Sequence, residues 1–263
     1  MAFNSSLLDK TIITTQQADS AHQLIKLLSE KGARALNIPM IKTNILQLKS
    51  KEIEILKNLN EFDLLVVTSK SGVRGFFENL HTLQEGSHIP KKLHIAAIGQ
   101  GTADEVAMRG HRVTLMNPGK DVGDLAAFIN AEVLKGGERV LLSLGNLASA
   151  FLEKELAKTA YVTRINVYRT DPIIPENYND QNLVNCLQAD ICIFSSPSGF
   201  QTYLKYYNLD VIPKFAAIGN TTADCIMREG YNVEVVAPYP SATAMVEALE
   251  EYFRVLEKDT RQY

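Results

Sequence analysis

AAIGQGTADEVAMRGHRVTLMNP (residues 96–118) and AAIGNTTADCIMREGYNVEVVAP (residues 216–238) are two versions of one pattern, and this repetition decides the fold. About ten of the 23 aligned positions are identical. A second matched pair lies upstream of each copy, where LLVVTSKSGVRGFF (64–77) resembles ICIFSSPSGFQTYL (191–204). The duplication predicts two similar lobes, and a cleft between lobes is where a ligand usually binds.

Length and composition narrow the possible functions. The chain has 263 residues, enough for two modest α/β domains. Its net charge of −3 and its pI near 6.0 argue against a nucleic-acid partner, which usually requires a basic surface. The chain shows neither a long apolar run nor a signal peptide, so we expect a cytoplasmic protein that does not contact a membrane.

The cysteines and histidines do not predict a metal site. Cys186, Cys192 and Cys225 have spacings that match no metal or redox motif, and we expect them to be small buried hydrophobic residues. The five histidines form neither an HxH nor an HExxH pair.

Apolar, β-branched runs alternate with helical patterns, which predicts parallel sheets covered by helices on both faces. The predicted strands are 11–14, 34–38, 64–68, 94–98, 112–116, 139–142, 162–168, 191–194, 215–218 and 232–236. The predicted helices are 18–31, 72–79, 102–109, 122–134, 148–158, 198–206, 221–229 and 242–256. Gly32, Gly110 and Gly230 fall where helices should end, because glycine readily adopts the left-handed conformation found there.

Two extended stretches suggest where the domains meet. MIKTNILQL (40–48) and RINVYRTDPIIP (164–175) have no helical pattern, and we expect them to run side by side as a two-stranded linker. One domain would then comprise residues 1–37 and 173–263, with linker strands at 38–46 and 164–172. Residues 47–163 would be inserted as the other domain. The alternative is two consecutive domains divided near residue 165.

Both copies of the repeat place a glycine and hydroxyl groups at a strand-to-helix turn. Gly99 and Gly219 allow a sharp turn, and Thr102, Thr221 and Thr222 fall in the first helical turn. Free backbone N–H groups and hydroxyls there can bind an anion, and the alternative is that the threonines are ordinary helix caps. Serine turns predict the same geometry at Ser69-Lys70-Ser71-Gly72 and Ser195-Ser196-Pro197-Ser198-Gly199. Four such helix starts facing one cleft would suit a ligand with several carboxylates or phosphates.

Common nucleotide-binding and hydrolase motifs do not occur. Gly99-x-Gly101 is followed by Asp104 where a dinucleotide fingerprint has its third glycine. The chain has no GxxxxGK[ST] sequence and no GxSxG sequence.

These residues resemble the uroporphyrinogen-III synthase family over nearly the whole chain. The resemblance is carried by VYRT (167–170), FSSPSG (194–199), KFAAIGNTTA (214–223), Ile38-Pro39 and the duplication itself. It implies two flavodoxin-like domains, each a doubly wound parallel sheet, joined by a two-stranded β linker. It also implies a monomer that needs no cofactor.

The resemblance further implies a reaction of tetrapyrrole (haem) biosynthesis. Hydroxymethylbilane, a linear tetrapyrrole with eight carboxylates, would lose water and close to uroporphyrinogen III with its last pyrrole ring, ring D, inverted. The family is thought to act through a spirocyclic pyrrolenine. Holding a flexible chain in one arrangement is catalysis by orientation, which demands a shaped site more than a strong nucleophile.

Site residues follow from the same resemblance. Tyr168 would assist departure of the substrate hydroxyl, and the alternative is a linker tyrosine that only packs. The residues expected to bind carboxylates are Ser195, Ser196, Lys214, Thr221 and Thr222, with Ser69, Lys70 and Thr102 as their counterparts in the other copy. For Lys70 and Lys214, a solvated surface position is the alternative.

Two turns depart from the family pattern. Many relatives have Thr-Arg-Pro after the first strand, where this chain has Thr14-Thr15-Gln16, and Arg-Gly after the sixth, where it has Ser143-Leu144-Gly145-Asn146. Each departure removes an arginine that would meet a carboxylate. A non-catalytic tetrapyrrole- or anion-binding homologue therefore stays open, as does a small-anion or sugar-phosphate binder suggested by fold analogy.

Overall fold

The chain divides into two compact units in the computed structural model, which describes residues 5–83, 88–117, 121–174, 189–207 and 213–260. Unit 1 comprises Met1–Lys42 and Asp171–Tyr263, and unit 2 comprises Thr43–Thr170. Unit 2 is therefore inserted into the chain that builds unit 1.

Strands and helices alternate along the described residues, as the apolar pattern predicts. The strands are β1 (Thr11–Thr14), β2 (Arg34–Asn37), β3 (Ile41–Ile45), β4 (Leu64–Val67), β5 (His94–Ala97), β6 (Leu115–Met116), β7 (Arg139–Gly145), β8 (Tyr161–Pro172), β9 (Ile191–Phe194), β10 (Lys214–Ala217) and β11 (Val235–Val236). The helices are α1 (Ala18–Glu30), α2 (Ser50–Lys57), α3 (Lys70–Thr82), α4 (Gln100–Met108), α5 (Val122–Glu132), α6 (Phe151–Leu156), α7 (Pro197–Tyr206), α8 (Asn220–Arg228) and α9 (Ala242–Thr260).

Most of the predicted elements occur within a few residues of their expected bounds. Helix α2 was not predicted, although Ile53 and Leu56 have helical spacing. The predicted strands 112–116 and 232–236 shorten to the two-residue strands β6 and β11. The prediction for the helix ends is confirmed, since Gly32, Gly110 and Gly230 have φ angles of 83°, 78° and 86°.

Each unit has a parallel sheet, and the two sheets have one layout. The strand order is β2-β1-β9-β10-β11 in unit 1 and β8-β7-β4-β5-β6 in unit 2, which adds β3 beside β8. Every strand of unit 1 therefore has a counterpart at the same sheet position in unit 2, and the sequence repeat is a structural repeat.

The two extended stretches pair with each other. The N–H of Leu46 donates to the carbonyl of Val167, and the N–H of Ile173 donates to the carbonyl of Met40. These partners run in opposite directions along the chain, so the stretches are antiparallel. The Thr43 and Thr170 hydroxyls lie 3.3 Å apart between these two bonds.

Each sheet is covered by helices on both faces, which explains its apolar strands. In unit 2, Leu65 and Val67 face α3 and α4, and Leu64 and Val66 face α5 and α6. In unit 1, one face packs against α1 and α9 and the other against α7 and α8. Burial of both faces leaves the ends of the sheets as the places where polar side chains collect.

An aromatic cluster forms the core beneath α7. Phe200 is fully buried and its ring lies 5.1 Å from Phe194 and 5.5 Å from Phe215, centroid to centroid, in edge-to-face geometry. We expect Phe200→Ala to lower the free energy of unfolding by about 3–5 kcal/mol, because it removes a large buried ring and leaves a cavity. Urea denaturation would measure the loss.

Phe151→Ala is the matched control, since Phe151 is 47% exposed and its loss should change stability by no more than about 0.5 kcal/mol. Equal losses for the two variants would contradict this description of the core.

Candidate active site

The predicted hydroxyl groups of unit 2 lie where its parallel strands end. Ser69 follows β4, and Gly99 and Thr102 follow β5. The register of the sheet pairs Gly145, the last residue of β7, with Tyr168 of β8. Because these strands are parallel, their carboxyl ends lie along one edge of the sheet, where ligands of α/β proteins usually bind.

Ser69 and Tyr168 are in direct contact. The Ser69 hydroxyl donates a hydrogen bond of 3.2 Å to the Tyr168 phenol oxygen and accepts one of 3.0 Å from the Gly72 N–H. Ser69 is therefore the N-cap of α3 and a partner of the phenol at once. The Tyr168 ring is partly buried against the apolar core of unit 2.

A β-bulge and a glycine give the Tyr168 ring its place. The register shifts between Leu144 and Gly145, so that Asn166 pairs with Leu144 and Tyr168 pairs with Gly145. A Cβ built on Gly145 would lie 2.3 Å from Tyr168 Cζ. The ring can occupy this position only because residue 145 lacks a side chain.

The turn after β7 contains no arginine of its own, yet a guanidinium lies against it. Arg164 Nη2 donates to the carbonyls of Gly145 and Ala148, each at 3.0 Å, and its Nε donates to Asn166 Oδ1. These bonds hold the turn in place. Only 17% of the Arg164 side chain is exposed, so the turn is held rather than supplied with a free cation.

Lys70 and the start of α4 form a second polar feature of unit 2. Gly99 has a φ of 73° and is the N-cap of α4, without a side-chain hydrogen bond. Gly101 lies beneath Lys70, since a Cβ built on it would be 2.8 Å from Lys70 Cε and 3.4 Å from Nζ. An ammonium group thus lies over an uncapped helix start, where the helix dipole also favours an anion.

Neither Thr102 nor Thr222 is a helix cap. Both lie three residues after the N-cap and are nearly buried, and their N–H groups bond to the carbonyls of Gly99 and Gly219. Thr221, by contrast, is exposed on the first turn of α8. Gly219 has a φ of 178°, which any residue can adopt, so the sharp turn does not require glycine there.

The serine turn of unit 1 caps its helix as Ser69 does in unit 2, but a different side chain lies beside the capping hydroxyl. Ser196 is the N-cap of α7 and accepts a 3.1 Å hydrogen bond from the Gly199 N–H. Its hydroxyl lies 3.2 Å from the Ser198 hydroxyl, and Ser195 lies at the end of β9, partly exposed. Unit 1 therefore presents hydroxyls at its sheet edge.

Lys214 is not brought together with the other predicted residues. It begins β10, at the opposite end of the strand from Gly219, and its ammonium lies 5.3 Å from the centre of the Tyr252 ring. The structure gives it a cation–π partner in place of a position beside Thr221 and Thr222.

The remaining predictions concern cysteines, metals and membranes. Cys192 and Cys225 are buried, as expected, whereas Cys186 lies outside the described residues. No group of three or more His, Cys, Asp or Glu side chains among the described residues could hold a metal ion. Within the same residues, none of the helices combines the length and the apolar character needed to cross a bilayer.

Two site features were missed by sequence reasoning. The sequence marked Gly145 only as part of a turn that departs from the family pattern, and did not predict its contact with the Tyr168 ring. It also did not predict the hydrogen bonds by which Arg164 holds that turn. The sequence carries a weak signal for Gly145, a glycine at the end of a predicted strand, where a bulge or a close contact is common.

Comparisons with known proteins agree on one family. A family model described as "Uroporphyrinogen-III synthase HemD" matches residues 22–247. The "Porphyrin biosynthesis protein HemD" of Ruminiclostridium josui is 24% identical over 91% of this chain and 48% of its own length. The chain thus spans about half the length of the curated relative it matches.

Solved structures show the same fold. A mutant uroporphyrinogen III synthase from Thermus thermophilus has a TM-score of 0.68 at 19% identity, covering 93% of this chain and 99% of its own. Uroporphyrinogen-III synthetase from Helicobacter pylori has a TM-score of 0.61 at 19% identity, covering 92% and 99%.

Proposed function

Since the chain belongs to the uroporphyrinogen-III synthase family, we propose that it cyclises hydroxymethylbilane to uroporphyrinogen III, with loss of water and inversion of ring D, in haem biosynthesis. The single observation that carries the proposal is the family match over residues 22–247. Action as a cytoplasmic monomer without a cofactor belongs to the same proposal.

In the proposed reaction, Tyr168 hydrogen-bonds to the departing hydroxyl of the substrate and transfers its proton to it as the hydroxyl leaves. The carbon–oxygen bond breaks, water leaves, and the electron pair of the pyrrole stabilises the cation that is left. Ring D then attacks this carbon through its substituted position to give the spirocyclic pyrrolenine. The bond between the substituted carbon of ring D and the methylene that joined it to the neighbouring ring then breaks, and the methylene carbon bonds to the unsubstituted α carbon of ring D. That carbon loses its proton, which restores the aromatic ring and can return to the Tyr168 phenolate. The hydrogen bond from Ser69 supports this role because it leaves the phenol proton free to face the substrate.

The substrate carboxylates are proposed to bind at the starts of the helices. In unit 2, Lys70 over Gly101 supplies a charge beside the open N–H groups of α4. In unit 1, the exposed Thr221 and the hydroxyls of Ser195 and Ser196 are the proposed donors. The buried Thr102 and Thr222 are proposed to shape these turns and to donate to carboxylates that reach them.

We also propose that both units are flavodoxin-like and are joined by the antiparallel pair of β3 and β8. The strand order of unit 1 supports this proposal, since it reads 2-1-3-4-5 when its strands are numbered within the unit. Numbered in the same way and without β3, unit 2 reads 5-4-1-2-3, which is the same layout with the chain starting at a different strand.

An assay with freshly prepared hydroxymethylbilane tests the proposed reaction, with separation of the type I and type III isomers by chromatography. The type III isomer forming faster than spontaneous closure would support the proposal. Tight binding of uroporphyrinogen with only type I product at the spontaneous rate would favour the non-catalytic homologue and overturn the proposed reaction.

For Tyr168→Phe, we expect kcat to fall by about 10²-fold, because the phenol proton is lost while the ring is kept. KM and the melting temperature should change little. Tyr161→Phe is the matched control, since Tyr161 begins the same strand and is 72% exposed. Wild-type turnover in Tyr168→Phe would remove the phenol from the mechanism.

For Lys70→Gln, we expect KM to rise about three- to tenfold with kcat nearly unchanged, because a charged partner of a carboxylate is lost. The dependence of KM on salt should also weaken. Lys57→Gln is the control, as Lys57 is an exposed lysine on α2 of the same unit. An unchanged KM for Lys70→Gln would leave Lys70 a surface charge.

A further inference from the structure

Three hydrogen bonds link a buried serine of β7 to the Tyr168 phenol. The Ser143 hydroxyl donates to the Gly72 carbonyl at 3.0 Å, and the Gly72 N–H donates to Ser69 Oγ at 3.0 Å. Ser69 Oγ in turn donates to Tyr168 Oη at 3.2 Å. Ser143 is fully buried. This series of hydrogen bonds therefore begins at a fixed point of the core and ends at the Tyr168 phenol, which solvent can reach.

The direction of the last bond decides what the phenol can do. Ser69 uses a lone pair for the Gly72 N–H and its proton for the phenol oxygen. The phenol oxygen is then an acceptor toward Ser69, and its own proton must point elsewhere. No acceptor for that proton is found among the residues that the structure describes, so the proton is available to a ligand.

Gly145 fixes the ring from the other side. A Cβ at this position would lie 2.3 Å from Cζ, 2.4 Å from Cε2 and 2.8 Å from the phenol oxygen of Tyr168. Contacts this short cannot coexist with the present position of the ring, so any side chain at residue 145 must displace the Tyr168 ring from the place where it meets Ser69. The backbone at Gly145 is itself held by Arg164.

We propose that Ser69 and Gly145 are positioning residues for the reaction: Gly145 makes room for the Tyr168 ring, and Ser69 orients the phenol as a hydrogen-bond donor toward the substrate. This inference rests on the proposed function. It goes beyond helix capping, because a cap needs only the lone pair of Ser69, whereas the orientation of the phenol needs its proton. Ser196 caps α7 in the same way, but the hydroxyl that lies 3.2 Å from its own is that of Ser198 and not a phenol.

Variants of Ser69 separate capping from orientation. Ser69→Thr keeps both functions and should retain kcat within about threefold. Ser69→Asp keeps a good cap but can only accept from the phenol, so kcat should fall about tenfold or more while the melting temperature holds. Ser69→Ala loses both the helix cap and the hydrogen bond that orients the phenol. Ser241→Ala is the matched control, because Ser241 accepts the Ala244 N–H at the start of α9, and this variant should lose stability without losing kcat.

Double variants test whether both residues act through the phenol. Ser69→Ala and Gly145→Ala should each lower kcat about five- to twentyfold in the wild type, with KM within twofold. In a Tyr168→Phe background neither change should lower kcat by more than twofold, since the group being oriented is gone. Equal losses in the two backgrounds would show a general structural role and overturn the proposal.

A spectroscopic measurement keeps this proposal separate from the proposed function. In protein carrying 13Cζ-tyrosine, the Tyr168 signal is assigned by its absence in Tyr168→Phe. It should move in Ser69→Ala and Gly145→Ala and keep its position in Ser241→Ala. Type I product alone from the wild type would overturn the proposed reaction. A Tyr168 chemical shift that is unchanged in both Ser69→Ala and Gly145→Ala would instead overturn the proposal that these residues position the phenol.

Discussion

The close approach of helix α3 to the sheet of unit 2 is the contact on which the candidate site depends. A Cβ on Gly75 would lie 2.5 Å from the Val167 carbonyl oxygen, and a Cβ on Gly72 would lie 2.9 Å from the Ser143 carbonyl oxygen. Two glycines one turn apart therefore let backbone meet backbone. With α3 at this distance, its N-cap Ser69 reaches the phenol of Tyr168, which would otherwise extend from β8 without a partner.

Much of the fold and part of the site could be predicted from local pattern. Strand-to-helix turns carry their own signal, so the sequence alone predicts hydroxyls at the helix starts of Ser69 and Ser196. The role of Gly145 depends on a bulge and on a ring 23 positions further along the chain, and no local pattern encodes it. The separation of Lys214 from the helix start at Gly219 could have been predicted, since the two residues are five positions apart in an extended chain, which spans about 16 Å.

The two units keep one framework and differ in the chemistry placed on it. Where unit 2 has Lys70 and Gly101, the aligned positions of unit 1 are Pro197 and Thr221. Glu105 is buried and bridges Arg74 and Arg109, at 3.2 Å each, whereas its counterpart is Cys225. The same framework therefore carries different charged and polar side chains in the two units.

The insertion of unit 2 has a consequence for how the chain folds during synthesis. The central strand β1 must wait for β9, about 180 residues later, so unit 1 cannot close its sheet until most of the polypeptide has left the ribosome. Unit 2 is continuous and can fold first. Its two ends then lie side by side at Thr43 and Thr170, which brings the separated halves of unit 1 together and lowers the entropy lost when they join.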